Sequence, residues 1–140
     1  MSTQLSAILL DGNATMGKKR ILVADDHALT RETVATMLRD EGYEVVLAAD
    51  GEEAIILLST YGPDLVLTDL SMPRLSGIGV LTRARLIAPA TPVIIFTSDI
   101  TLEVEREAWR LGARDYIHKP FDINDLLERI SRVLSSSCAQ

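Results

Sequence analysis

Ile21-Leu22-Val23-Ala24-Asp25-Asp26 sets the pattern for the rest of the chain: four contiguous apolar residues run straight into two acids. A strand with one wet face alternates apolar and polar residues, whereas this run does not alternate. It reads as a strand covered on both faces, the habit of parallel sheets flanked by helices. The same kind of short run, rich in β-branched residues, returns at Val45-Val46-Leu47, Leu65-Val66-Leu67, Val93-Ile94-Ile95-Phe96 and Tyr116-Ile117.

The stretches between these runs have helical periodicity. Val34, Met37 and Leu38 form an i, i+3, i+4 stripe, and Ala54, Leu57 and Leu58 form a second. Val80, Leu81 and Ala84 follow in a third helix, Val104, Ala108 and Leu111 in a fourth, and Leu126, Ile130, Val133 and Leu134 in a fifth. Asp50 with Glu53 three residues later has the form of a capping box, and Asp122 can cap the last helix. Gly42 and Gly112 stand just past helix ends, where a left-handed backbone is wanted. Alternating β and α elements predict an α/β fold: a flavodoxin-like, doubly wound, five-stranded parallel sheet of order 2-1-3-4-5, with helices on both faces.

Strands of a parallel sheet all end on one edge, and ligands bind there, where the strand order reverses. At those ends stand Asp25-Asp26, Thr68-Asp69, Thr97-Ser98 and Lys119-Pro120. Singly, each has a plain role: Asp69 as a turn residue, Asp25 and Asp26 as helix caps, Thr97 as an ordinary strand residue, Lys119 as a solvated charge. Gathered on one rim they are harder to dismiss. Two carboxylates about 4 Å apart repel by roughly 4 kcal/mol at an effective dielectric near 20, so three need positive company. Lys119 supplies one charge and a divalent cation would supply two. All-oxygen ligands with open positions suit Mg²⁺. A carboxylate can then serve as nucleophile toward phosphorus, with an ammonium and a hydroxyl holding the phosphoryl oxygens.

Four blocks carry a family likeness: Ile21 to His27, Asp64 to Pro73, Phe96-Thr97-Ser98, and Gly112 to Phe121. In order and spacing they resemble the receiver domains of bacterial response regulators in two-component signalling, over about residues 19–134. The resemblance implies a non-enzymatic signalling switch in which Asp69 accepts a phosphoryl group from a sensor histidine kinase, a phosphotransfer protein or a small phosphodonor. It implies Asp26 and Asp69 as direct Mg²⁺ ligands, Asp25 acting largely through water, and the Ser71 carbonyl as a further ligand. Lys119 would pair with the phosphate, Thr97 would turn toward it, and Tyr116 would rotate inward in concert. The Lys119-Pro120 bond would be cis. The surface of the fourth helix, fifth strand and fifth helix would change for a downstream partner. Ser71 and Asp99, each two residues past a site residue, would tune the lifetime of the acyl phosphate.

Composition bounds these readings. The chain has 140 residues, 47% hydrophobic and 24% charged, ordinary for one globular domain. A net charge of -6 argues against non-specific nucleic-acid binding by this domain. No apolar run is long enough to span a membrane, Leu5 to Leu10 lacks the basic lead of a signal peptide, and the lone Cys138 suits a reducing compartment. The cytoplasm is the expected location. Residues 1–18 read as a flexible extension and 135–140 as a polar tail. The sequence leaves open a stand-alone regulator or a receiver cut from a longer protein with its own output domain, and leaves open a homodimer. His27 and His118 read as surface residues, neither having a second His or Cys at metal spacing. Trp109 lies off its helix's apolar stripe and reads equally as interface or as packing. Three rivals stand beside this reading: a flavin-type cofactor binder on the same fold, disfavoured by acids after the first strand; a metal-dependent phosphatase with an aspartyl intermediate, disfavoured by Leu70 and Ser71 after Asp69; and an unphosphorylated docking module, disfavoured by the complete acidic set.

Overall fold

Five short strands that must bury both faces can do so only as the middle layer of a sandwich. The computed structural model, which describes residues 17–139, has that arrangement. The elements in chain order are β1 (Arg20–Ala24), α1 (Ala28–Asp40), β2 (Glu44–Ala48), α2 (Gly51–Tyr61), β3 (Leu65–Asp69), α3 (Gly77–Ile87), β4 (Val93–Thr97), α4 (Leu102–Arg110), β5 (Asp115–His118) and α5 (Ile123–Ala139). The sheet is entirely parallel, in the order β2-β1-β3-β4-β5. The expected fold class, strand order and helix positions are all found.

Alternate strand residues point to opposite faces, which makes two cores from one run. Ile21 and Val23 of β1 join Leu65, Leu67, Ile94, Phe96 and Ile117 beneath α1 and α5. Leu22 and Ala24 join Val66, Ile95 and Tyr116 beneath α2, α3 and α4. The middle strands β3 and β4 are buried throughout. The edge strand β2 departs from the double-buried reading: Glu44 to Leu47 are half-buried, because no strand covers its outer side.

Helix ends follow the sequence signals. Asp50 Oδ1 accepts the Glu53 N–H at 2.8 Å, while Glu53 Oε1 accepts the Ala49 N–H at 2.6 Å, a capping box displaced by one residue. Asp122 Oδ1 accepts the Asn124 N–H at 2.8 Å, and Gly42 and Gly112 have φ of 96° and 105°. The Lys119-Pro120 bond is cis, as expected. Helix α5 runs on to Ala139, beyond Ser135, where the sequence suggests a polar tail. The expected extension lies outside the described residues except for Gly17 and Lys18, as does any statement on the Cys138 side chain.

Candidate functional site

The site forms where β1 and β3 run side by side in the middle of the sheet and their following loops leave toward opposite faces. Asp25 and Asp26 lie just past β1, Asp69 closes β3, Thr97 closes β4, and Lys119 lies just past β5. The parallel register therefore carries all five to one edge.

Asp25 is fully buried and well partnered. Its Oδ1 accepts the His27 N–H at 2.9 Å and its Oδ2 lies 3.0 Å from Lys119 Nζ. Asp26 is the outer member, its side chain 33% exposed. Asp69 is 5% exposed; its Oδ1 accepts the Leu70 N–H at 2.8 Å and its Oδ2 lies 3.6 Å from Lys119 Nζ. One ammonium thus serves two buried carboxylates, and its Nζ also lies over the Phe96 ring, 4.5 Å from the ring centre. The Lys119 backbone N–H donates to the Thr97 carbonyl at 2.7 Å, so β4 fixes where the lysine starts.

Burial pushes the Asp69 carboxyl above the usual range. Lys119 pulls it down, Asp25 pushes it up again, the Leu70 N–H lowers it and Asp26 raises it further. One carboxylate oxygen each from Asp25, Asp26 and Asp69 lies within 4.8 Å of the others, and the His27 ring nitrogen falls inside the same radius. Three carboxylates against one ammonium leave a concentrated negative excess in a poorly solvated place. Hard oxygen donors at this spacing fit a divalent cation of the Mg²⁺ kind, which would supply the missing positive charge.

The remaining expected residues have surroundings of their own. Ser71 is exposed at the start of the β3–α3 loop. Thr97 is buried, and its Oγ1 accepts the Asp99 N–H at 3.0 Å. Asp99 Oδ1 in turn accepts the N–H of Thr101, the N-cap residue of α4, at 2.7 Å. Hydrogen bonds from the Thr101 hydroxyl and N–H hold the Asp99 carboxyl below its usual range. A two-bond chain therefore joins the Thr97 hydroxyl to the start of α4. Tyr116 already lies inward, 4% exposed, edge-on to His118 at 5.5 Å. Its hydroxyl is the one buried side-chain N or O without a hydrogen-bond partner among the described residues. Burial raises its pKa, with Asp99 and Glu105 adding to the rise. Trp109 is 44% exposed, with its Nε1–H donating to Glu105 Oε2 at 3.2 Å.

Two contributors escaped the sequence reading. His27 is exposed as expected, yet its Nδ1 stands 3.4 Å from Asp25 Oδ1 and 3.3 Å from Asp26 Oδ1. Gly77 begins α3 hard against β3: a Cβ there would collide with the Asp69 carbonyl oxygen, and its N–H donates to the Leu70 carbonyl at 2.7 Å. Ser76, which caps α3 by accepting the Gly79 N–H at 3.2 Å, was the available signal for that helix start.

Known proteins resemble this chain in sequence and in fold. The response regulator receiver domain family matches residues 21–131. The transcriptional regulatory protein PdtaR of Mycobacterium tuberculosis is 42% identical over 120 residues, covering 84% of this chain and 57% of that protein. The cell cycle transcriptional regulator CtrA of Caulobacter vibrioides is 35% identical over 118 residues, covering 84% of this chain and 51% of that one. The chain thus spans about half the length of these curated relatives. Among solved structures, a CheY-like receiver domain protein from Methanospirillum hungatei superposes with a TM-score of 0.84 at 32% identity, covering 86% of this chain and 97% of the other. Chemotaxis protein CheY4 of Vibrio cholerae gives 0.79 at 31% identity over 84% and 99%. Family match, fold and relatives agree that the chain belongs to the response regulator receiver domains of two-component signalling.

Proposed function

We propose that this receiver domain is a phosphorylation-dependent switch whose acceptor is Asp69. The observation that carries the reading is the meeting of Asp25, Asp26 and Asp69 with Lys119 at one sheet edge. An Asp69 carboxylate oxygen attacks the phosphorus of a phosphohistidine on a sensor kinase or phosphotransfer protein. The P–O bond of an acyl phosphate forms as the P–N bond breaks, its electron pair leaving with the imidazole. A Mg²⁺ held by Asp25, Asp26, Asp69 and the Ser71 carbonyl would neutralise charge on the transferring group and on the crowded carboxylates. Lys119 Nζ follows the phosphoryl oxygens, being already beside Asp69 Oδ2. Thr97 donates its hydroxyl to another of them.

Moving the Thr97 hydroxyl toward Asp69 gives up the Asp99 N–H and so loosens the start of α4. Ile100, Leu102 and Trp109, all exposed at the head and outer side of α4, lie on the surface of α4, β5 and α5 that would engage a downstream protein or an output domain. Among the described residues no helix is long and apolar enough to cross a membrane. Signalling in the cytoplasm is the setting we infer. Incubation with Mg²⁺ and acetyl phosphate, read by intact mass, is expected to give one phosphoryl adduct, lost in Asp69→Asn and on chelation. Absence of an adduct with every donor, or one that persists in Asp69→Asn, would sink the reading.

A further inference from the structure

We propose that His27 contributes an imidazole nitrogen to the cation at this site, so that the site prefers Zn²⁺ and Co²⁺ over Mg²⁺ more strongly than its carboxylates alone would dictate. This rests on the divalent-cation reading of the acidic cluster given above. The Nδ1 of His27 stands 3.4 Å from Asp25 Oδ1 and 3.3 Å from Asp26 Oδ1. These separations exceed the roughly 2.7–3.2 Å of a good N–H···O bond. They lie near the separations of neighbouring ligands on one small divalent ion, roughly 2.9 Å in an octahedral shell and roughly 3.3–3.4 Å in a tetrahedral one, so a modest turn of the ring brings Nδ1 into either. The ring is not placed by a capping duty, because no side-chain cap bond is made to α1. What pins the residue is its backbone N–H, donated to Asp25 Oδ1 at 2.9 Å, which ties the imidazole to one of the carboxylates it would ligate beside. With Nδ1 turned to the ion, the proton sits on Nε2. Imidazole favours borderline ions over Mg²⁺, which prefers oxygen.

The test uses the full chain carrying Cys138→Ser, so that the thiol does not compete for Zn²⁺. Metal-stripped protein and its His27→Ala variant are titrated calorimetrically with Mg²⁺ and with Zn²⁺. Both are also loaded with Co²⁺ and read by proton NMR for an exchangeable, hyperfine-shifted imidazole N–H. His27→Ala is expected to weaken Zn²⁺ binding about tenfold or more while Mg²⁺ affinity stays within about twofold. The shifted N–H signal is expected in the parent and absent from the variant. Saturable Mg²⁺ binding with an unchanged Zn²⁺ preference, or a signal that survives His27→Ala, overturns the role of His27 and leaves the metal-site reading standing. No saturable Mg²⁺ binding in the parent overturns both.

Discussion

Asp69→Asn should make the metal-free protein more stable at neutral pH, although it deletes an ion-pair partner. The Coulomb terms nearly cancel. Lys119 Nζ at 3.6 Å attracts the Asp69 carboxylate by about 4.5 kcal/mol at an effective dielectric of 20. Asp25, within 4.8 Å and fully buried, repels it by at least about 3.5 kcal/mol, and the partly exposed Asp26 adds a smaller, screened repulsion. Burial then decides. Desolvating a carboxylate costs several kcal/mol, and the Leu70 N–H returns only about 1.5–3 kcal/mol of it. Neutralisation should therefore gain about 2 kcal/mol, on the order of 10 °C in Tm. The sign with pH follows from the raised pKa of Asp69. The native state binds its proton more tightly than the unfolded chain, whose Asp titrates near about 3.9. Native stability from this group is intact below that value and is lost as pH rises through the higher folded value. Urea denaturation of both proteins in chelator, at about pH 7 and again near pH 4, reads the difference. The advantage of Asp69→Asn should be larger at pH 7 than near pH 4, and Mg²⁺ should close it at pH 7 by stabilising the parent alone. An Asp69→Asn protein no more stable than the parent at pH 7 in chelator would refute the account of a strained acceptor.

Lys119→Met removes the charge facing buried Asp25 and Asp69 and should cost about 3–5 kcal/mol in chelator, with part restored by Mg²⁺; chemical denaturation with and without the ion checks both. Tyr116→Phe deletes a buried hydroxyl that has no partner and should raise stability by about 1 kcal/mol in the unphosphorylated protein, measured by thermal melting. Gly77→Ala must push α3 off the Asp69 carbonyl and should destabilise by about 1–3 kcal/mol, with a slower yield of phosphoryl adduct from acetyl phosphate than the parent.

Where two levels of structure gave different answers, the cause lies in distance along the chain. The runs at residues 21–24, 65–67 and 93–96 announce doubly covered strands, because periodicity is a local property. Residues 45–47 announce the same and are only half-buried, since lying at the edge is a fact about neighbours. The capping pair Asp50 and Glu53 was legible within four residues, whereas the close approach of Gly77 to Asp69 needs α3 folded back across β3.

The sequence by itself determined the five-stranded parallel sheet and the edge at which Asp25, Asp26, Asp69, Thr97 and Lys119 must emerge; the strand order was expected only as the commonest one for such a sheet. A parallel sheet sends every strand's last residue to one side, so position along each run fixes the address. Only the tertiary structure decided how those groups pair. Lys119 reaches Asp25 across 94 residues, and burial leaves Asp25 dry, Asp26 wet and Asp69 with a raised pKa. The Thr97 hydroxyl goes to Asp99, the Tyr116 ring lies inward, and the His27 ring joins the carboxylates. Each outcome depends on solvent exclusion and on side chains meeting through space, and neither is written in any local stretch of residues.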